Sequence, residues 1–259
     1  MKDIDLVLSG SGIKFPVFIG AIRALQEDNF NITRIAGTSG GALIAVAVAN
    51  GLSIDKIEKK ILDTEFKIFR DFSLFSLFLR YGIYKGNKLE KWLDELFDYK
   101  CFKDLDKECK VIASNLTKND YLVFGNKETP DVKVSQAIRM SLSIPFVFGY
   151  INYLNQVIVD GFITGNYLID IFDDNKRDTI GLLVKTNELK NIKITFIWDY
   201  ISNILEAFQR SNENEHIRDA DWARTILINT EGYSNINFNL SYTDKEKLIK
   251  YGYDAVKLR

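Results

Sequence analysis

The first residue that could take part in chemistry is a serine flanked by glycines. The segment Gly37-Thr38-Ser39-Gly40-Gly41 has the spacing Gly-x-Ser-x-Gly and lies between two apolar stretches. This pattern is typical of a nucleophile elbow, in which a strand turns sharply into a helix and presents a serine hydroxyl at the bend. Glycines suit the turn because it is strained and leaves no room for Cβ atoms beside the serine. The pattern therefore predicts Ser39 as the nucleophile of an acyl-transfer reaction.

A serine nucleophile needs a base, and the sequence offers two candidates. The chain has one histidine, His216, in the polar segment 212–219, where a solvated surface position is expected. The other candidate is Asp160, which ends the apolar stretch 156–159 and precedes Gly161. A free carboxylate is a weak base, so Asp160 would have to be desolvated to act near neutral pH. An aspartate at a strand end is also a common turn former, so the residues alone leave the base open.

A glycine-containing turn follows the first expected strand. Gly10, Ser11 and Gly12 separate the apolar stretch 5–8 from a helical pattern. Successive backbone N–H groups in such a turn can face an anion. A dinucleotide-binding fingerprint would need a further glycine at position 15, where the chain has Phe15. Nucleotide binding is therefore disfavoured, and an oxyanion-binding turn remains open.

The elements that must position these residues alternate along the chain. We expect strands at 5–8, 33–36, 110–115, 120–124, 156–159, 179–184 and 225–229. We expect helices at 17–28, 41–50, 53–63, 88–97, 133–142, 195–210 and 243–256, and a loop at 82–87. Two successive units of strand, glycine turn and helix predict an α/β fold with a parallel sheet. Both glycine turns would then lie at the carboxyl edge of the sheet, where ligands bind.

A phenylalanine repeats at every third position between residues 66 and 78, and leucines widen the apolar stripe. The phenylalanines are Phe66, Phe69, Phe72, Phe75 and Phe78. One interpretation is a helix packed on the core. The other is a lid or interfacial helix that meets acyl chains or lipid with the same side chains. The sequence does not separate the two.

Composition excludes several classes of protein. The 34 basic and 35 acidic residues nearly cancel, so a general nucleic-acid binder is not expected. Cys101 and Cys109 lack the spacing of a zinc site and predict reduced thiols. The first residues lack a signal-peptide pattern, and no apolar run reaches the roughly 18–20 residues of a membrane-spanning helix. We expect a cytoplasmic protein or one peripheral to membranes.

The order of these motifs resembles that of the patatin-like phospholipases. Where that family has Gly-Gly-Gly-x-Arg/Lys-Gly, this chain has Gly10-Ser11-Gly12-Ile13-Lys14-Phe15. The elbow around Ser39 follows, and Asp160-Gly161 matches a later Asp-Gly pair, with Asn166 at a family asparagine. Segments 81–86 and 139–148 resemble a Gly-Leu-x-x-Gly loop and a Ser-rich segment that ends in Pro-x-x-Phe. Several ordered motifs between residues 6 and 166 are more specific than the serine pentapeptide alone.

The resemblance implies a three-layer α/β/α fold with a mainly parallel central sheet, in a single domain over residues 1–259. It also implies that Ser39 attacks an ester carbonyl while Asp160, rather than a histidine, takes the proton. Backbone N–H groups of the glycine turn would hold the oxyanion, each good donor contributing roughly 3 kcal/mol to transition-state stabilisation. That turn comprises Gly10, Ser11, Gly12 and Ile13. No metal or other cofactor is expected.

The implied substrate is a glycerophospholipid or another acyl lipid, from which a phospholipase A or lysophospholipase would release a fatty acid. Peripheral contact with membranes is expected with such a substrate. Lys14 matches a basic family position and would contact substrate; an exposed lysine at a turn is the alternative. Phe15 and Phe162 place bulk where the family keeps small residues. They motivate a rival interpretation, a catalytically weak or inactive lipid- or membrane-binding protein of the same fold. A third interpretation is an acyltransferase or thioesterase.

Overall fold

The computed structural model describes residues 1–174, 176–185, 194–196, 199–201, 203–205, 207–208, 218–230 and 232–259. The strands are β1 Lys2–Leu8, β2 Phe30–Thr38, β3 Gly82–Tyr84, β4 Glu108–Asn115, β5 Asp120–Gly125, β6 Phe146–Phe148, β7 Ile151–Tyr153, β8 Gln156–Asp160, β9 Asp178–Lys185 and β10 Thr225–Asn229. The helices are α1 Pro16–Glu27, α2 Gly40–Ala49, α3 Ile54–Asp63, α4 Leu74–Arg80, α5 Asn87–Leu96, α6 Val134–Ser141, α7 Phe162–Gly165, α8 Asp219–Trp222 and α9 Tyr242–Lys257.

The main sheet has the strand order β10-β9-β1-β2-β4-β8-β7, and β5 pairs with β4 as well. Strands β10, β9, β1, β2 and β4 are parallel. Strands β5, β8 and β7 join antiparallel, and a two-residue turn with positive φ at Leu154 and Asn155 connects β7 to β8. The predicted α/β fold with a mainly parallel central sheet is therefore confirmed.

Helices flank the sheet because its strands are apolar on both sides. The larger core contains α1, α2 and α9, and all ten residues of α2 are buried. On the other face, side chains such as Val7 and Ala36 pack against Tyr167 and Phe172, with Trp222 of α8 beside them. Helices α1 and α9 approach so closely that only glycine fits at their crossing: a Cβ on Gly252 would lie 1.7 Å from the carbonyl oxygen of Val17. This packing fixes α1, which begins directly after the glycine turn.

The phenylalanine stripe is not one helix: its first two members are buried in the core, and the other three are exposed. Phe66 and Phe69 lie in a short 3-10 turn and are buried in the core. Phe72, Phe75 and Phe78 are exposed, the last two on α4. The chain changes conformation between the two groups, so a spacing of three does not keep the side chains on one face.

The structure differs from the loop expected at 82–87 and describes only part of the helix expected at 195–210. The loop expected at 82–87 begins instead with β3, which pairs in parallel with β6 in a separate two-stranded sheet. Three residues are too few to show a strand pattern in sequence. Of the helix expected at 195–210, the described residues 199–201, 203–205 and 207–208 are helical and 195–196 are not. His216 lies outside the described residues. Among the helices that are described, none has the length and apolar character needed to cross a membrane.

Candidate active site

The sheet brings Ser39 and Asp160 together through their shared neighbour, β4. Thr38, the last residue of β2, pairs with Ile112 of β4, and Asp160, the last residue of β8, pairs with the next residue, Ala113. Strand β2 is parallel to β4 and β8 is antiparallel to it, so their carboxyl ends meet on one edge of β4. Residues 121 positions apart in the chain therefore face each other.

Ser39 Oγ donates a hydrogen bond of 2.7 Å to Asp160 Oδ2. Both side chains are buried, Asp160 completely. The second carboxylate oxygen, Oδ1, accepts the N–H of Phe162 at 3.1 Å. Burial raises the pKa of Asp160 to about 7, although these two hydrogen bonds oppose the rise. A carboxyl group with a pKa near neutrality can both accept and return a proton.

The backbone of the elbow is strained and held by a neighbouring helix. Ser39 has φ 52° and ψ −122°, a conformation that non-glycine residues rarely adopt. Its N–H donates to Oγ of Ser141 at 2.7 Å, and that hydroxyl donates to the carbonyl oxygen of Ile112 at 2.5 Å. Ser141 lies in the Ser-rich segment noted in the sequence, but nothing there assigned it this contact. It ties the nucleophile to β4.

The elbow packs directly on the glycine turn. A Cβ on Gly40 would lie 2.4 Å from the carbonyl oxygen of Gly12, and one on Gly41 would lie 2.5 Å from that of Ser9. Gly12 itself has φ +54° and lies against the backbone of Asn235. Only hydrogen atoms fit between the two turns, so the elbow and the glycine turn are held as one unit.

Two of the four amides expected to bind an oxyanion are already engaged. The N–H of Gly10 donates to the carbonyl oxygen of Asn166 at 3.0 Å, and that of Ile13 donates to the carbonyl oxygen of Asn235 at 2.9 Å. Each N–H carries a single proton, so neither is available for an oxyanion in this conformation. Asn235 was not found by sequence reasoning, because it contributes a backbone carbonyl from a distant segment without a motif.

The other two amides belong to Ser11 and Gly12. Neither N–H donates to another group within the part of the chain that the structure describes. Both residues line the pocket around Ser39 and Asp160. The same pocket is also lined by Gly10, Ile144, Phe162, Leu205, Asn235 and Ile236. The oxyanion prediction therefore narrows to Ser11 and Gly12.

The bulky residues that depart from the family pattern do not separate Ser39 from Asp160. Phe15 is buried, with its ring centroid 5.2 Å from that of Phe66. Phe162 lines the pocket, and its ring meets that of Phe208 edge-on at 6.1 Å. Lys14 is completely buried and does not line this pocket, so the alternative of an exposed lysine at a turn is wrong. A substrate contact by Lys14 stays a prediction.

A second, apolar pocket adjoins the first. The two share Gly12, Ile144 and Asn235 in their walls. The remaining wall is almost wholly aliphatic and aromatic and includes Phe15, Leu43, Phe69, Trp92, Phe148 and Phe238. An apolar wall thus lies beside the serine.

The family model for patatin-like phospholipases matches residues 6–173, which contain the elbow, the glycine turn and Asp160. The chain belongs to the patatin-like phospholipase family. It is 32% identical over 273 residues to "Uncharacterized protein R571" of Acanthamoeba polyphaga mimivirus, covering 98% of this chain and 92% of that one. It is also 27% identical to "Probable lipid hydrolase 463L" of Invertebrate iridescent virus 6, covering 95% and 84% of the two chains.

Among solved structures, this patatin-like phospholipase resembles VipD from Legionella pneumophila. The TM-score is 0.73 and the sequence identity 16%, over 99% of this chain and 66% of VipD. The chain thus spans about two thirds of the length of VipD. At this identity the similarity concerns the fold alone, and it agrees with the sheet and helices described above.

Because burial raises the pKa of Asp160, we expect Asp160→Asn to make this patatin-like phospholipase more stable above pH 7. A raised folded-state pKa gives stability that is present below about pH 4 and lost as the pH rises through about 7. The neutral amide avoids that loss. The gain in free energy of unfolding should be on the order of 2–4 kcal/mol at pH 8 and vanish near pH 4. Urea unfolding at both pH values measures it. Asp170→Asn, at an exposed carboxyl group, is the control; equal pH dependence in both variants would contradict the expectation.

We expect Ser141→Ala to loosen the elbow of this patatin-like phospholipase. The change leaves the N–H of Ser39 and the carbonyl of Ile112 without their partner, at a cost of about 1–3 kcal/mol in stability. Reaction of Ser39 with a fluorophosphonate should also become slower, which labelling kinetics would measure. Ser135→Ala is a matched control, because Ser135 is a buried residue of the same helix that bonds Asp94 instead. It should lose stability but keep the labelling rate; equal slowing in both would argue against a positioning role.

Proposed function

We propose that this protein is a serine lipid acyl hydrolase of the phospholipase A or lysophospholipase type, with Ser39 and Asp160 as its catalytic dyad. The observation that carries the proposal is the 2.7 Å hydrogen bond between Ser39 Oγ and a completely buried carboxylate. Membership of the patatin-like phospholipase family supports the substrate class, as does the name of the viral relative, a probable lipid hydrolase. The apolar wall of the adjoining pocket has the chemistry to contact a fatty acyl chain. Glycerophospholipids are held in membranes, so we expect the protein to work at their surface.

In the first half of the reaction, Ser39 Oγ attacks the ester carbonyl carbon as Asp160 Oδ2 takes the hydroxyl proton. The carbonyl oxygen becomes an oxyanion, which accepts hydrogen bonds from the N–H groups of Ser11 and Gly12. Collapse of the tetrahedral intermediate breaks the ester C–O bond. Asp160 returns its proton to the departing alcohol, and the acyl group stays on Ser39.

In the second half, a water molecule replaces the alcohol. Asp160 takes a proton from this water as its oxygen attacks the acyl-serine carbonyl. A second oxyanion forms at the same two amides, the bond to Ser39 Oγ breaks, and the proton returns to the serine. The carboxylic acid leaves, and the dyad is restored.

The catalytic interpretation is favoured over an inactive lipid-binding protein by the positions of the two phenylalanines. Phe15 packs against Phe66 in the core, and the backbone of Phe162 donates to Asp160. Neither ring interrupts the contact between serine and aspartate. Their bulk instead narrows the space for the acyl chain and so affects which acyl lipids can be substrates.

We expect the purified protein to release fatty acid from phospholipids or lysophospholipids, and Ser39→Ala to lower the rate by at least about 10³-fold. A fluorophosphonate should label the wild type and not the variant. Mass spectrometry of the products, with and without an added alcohol acceptor, separates hydrolysis from acyl transfer, and a thioester substrate tests for a thioesterase.

Ser53→Ala is a suitable control, since this helix-capping serine is remote from the pocket. Labelling of Ser39→Ala at the wild-type rate would rule out Ser39 as the nucleophile. Vesicle binding without any acyl product, in wild type and variant alike, would favour the inactive lipid-binding alternative.

The rate should depend on pH through Asp160. The base must be ionised to take the serine proton, so kcat/KM for a neutral, soluble ester should rise with pH and level off above a pKa of about 7. Initial rates between pH 5 and 9 measure this. Activity that stays constant from pH 5 to 8 would show that another group acts as the base.

A further inference from the structure

On helix α4 the buried residue is polar, and most of the apolar side chains are exposed. Ser73 caps it by accepting the N–H of Ser76 at 3.2 Å, and Ser76 is almost completely buried. Phe75 and Phe78 point outward and are 68% and 72% exposed. A surface helix normally turns its apolar side to the core. Here the buried residue is Ser76 while both phenylalanines are exposed, so packing within the described part of the chain does not account for the phenylalanines.

More exposed apolar side chains surround the helix. We call them, together with those of α4, the apolar platform: Phe72, Leu74, Phe75, Phe78, Leu79, Tyr81 and Phe146. Phe72 bridges to Tyr84 of β3, and Phe146 of β6 pairs with Gly82. The two-stranded sheet therefore holds both ends of the platform beside α4. A contiguous exposed patch of this kind marks an interaction surface.

The charges around the platform are strongly basic. The segment 66–88 contains five basic residues and one acidic residue, a formal charge of +4 in a chain of net charge −1. Arg80, Lys85 and Lys88 are exposed. The carboxylate of the acidic residue, Asp71, is occupied by two backbone N–H groups. Anionic headgroups above an apolar layer complement a surface with apolar side chains and a basic rim.

Short stretches of chain join the platform to the pockets beside Ser39. Phe69 lines the apolar pocket and precedes Phe72 by three residues. Ile144 lines both pockets and precedes Phe146 by two residues, in a turn where the N–H of Val147 donates to the carbonyl oxygen of Ile144 at 3.1 Å. Phe148, at the other end of β6, lines the apolar pocket. The platform is therefore joined to the wall of the pocket by short stretches of backbone on both sides.

We propose that the apolar platform and its basic rim dock this protein on an anionic phospholipid bilayer. The phenylalanine and leucine side chains enter the boundary between headgroups and acyl chains, and Arg80, Lys85 and Lys88 contact the phosphates. Docking needs neither the nucleophile nor the base, so it adds to the proposed function without depending on it.

Vesicle flotation tests the proposal with full-length protein carrying Ser39→Ala, so that the lipid is not consumed. Vesicles contain phosphatidylcholine alone or mixed with phosphatidylserine. The parent should bind the mixed vesicles, and adding Phe75→Ser with Phe78→Ser should weaken its partitioning roughly tenfold or more. Lys85→Gln with Lys88→Gln should weaken binding to mixed vesicles and reduce its sensitivity to salt. The control is Tyr242→Ser with Leu258→Ser, two exposed apolar residues at the ends of α9.

Thermal unfolding confirms that each variant folds, which is expected because the changed side chains are exposed. Failure of the parent to bind anionic vesicles, or equal binding by the platform and control variants, would overturn the proposal.

Light scattering tests whether the apolar platform binds a second copy of the chain instead of a bilayer. If the parent is a dimer and only the platform variant is a monomer, with vesicle binding unchanged, the platform is an interface between copies of the chain. Because every protein tested lacks Ser39, none of these outcomes depends on the proposed catalysis.

Discussion

The hydrogen bond between Ser39 and Asp160 depends on the removal of water from a carboxylate. In water an aspartate has a pKa near 4 and is too weak a base for a serine hydroxyl. Burial raises the pKa of Asp160 to about 7, and the two hydrogen bonds it accepts keep the ionised form accessible. Several parts of the structure keep the carboxylate of Asp160 away from water. The sheet edge, the elbow and the pocket wall each cover one side of it or supply one of its hydrogen-bond partners.

Close packing also fixes the glycine turn, whose amides are the proposed oxyanion donors. Gly40 touches the backbone of Gly12, and Ser141 ties the nucleophile to β4. Electrostatic stabilisation is effective when the donors are in place before charge develops. The proposed donors, the N–H groups of Ser11 and Gly12, belong to a turn that packs directly on the elbow, so they would meet that requirement.

Local signals in the sequence were sufficient for part of this arrangement. The glycine pattern located Ser39 at a strand-to-helix turn, and an apolar run ending in aspartate located Asp160 at a strand end. Contacts made by distant segments left no such signal. The carbonyl groups that engage Gly10 and Ile13 belong to residues 166 and 235, and the partner of the short strand β3 lies more than sixty residues away. The phenylalanine stripe could not be assigned from the sequence for a different reason. Its spacing of three residues continues across a change of backbone conformation, from a 3-10 turn to helix α4.

Asp160 owes its position to strand register rather than to its immediate neighbours. Strand β8 pairs with β4 at only three positions, and a slip of one residue would bring Val159 or Gly161 opposite Ala113. Side chains alternate along a strand, so the slip would turn the carboxylate to the other face of the sheet and remove its hydrogen bond with Ser39. Contacts just beyond these three positions hold that register: the N–H of Leu116 donates to the carbonyl oxygen of Val157, and the N–H of Val157 donates to Thr117 Oγ1. Hydrogen bonds near the start of β8, away from Ser39, therefore decide whether the carboxylate of Asp160 reaches the serine.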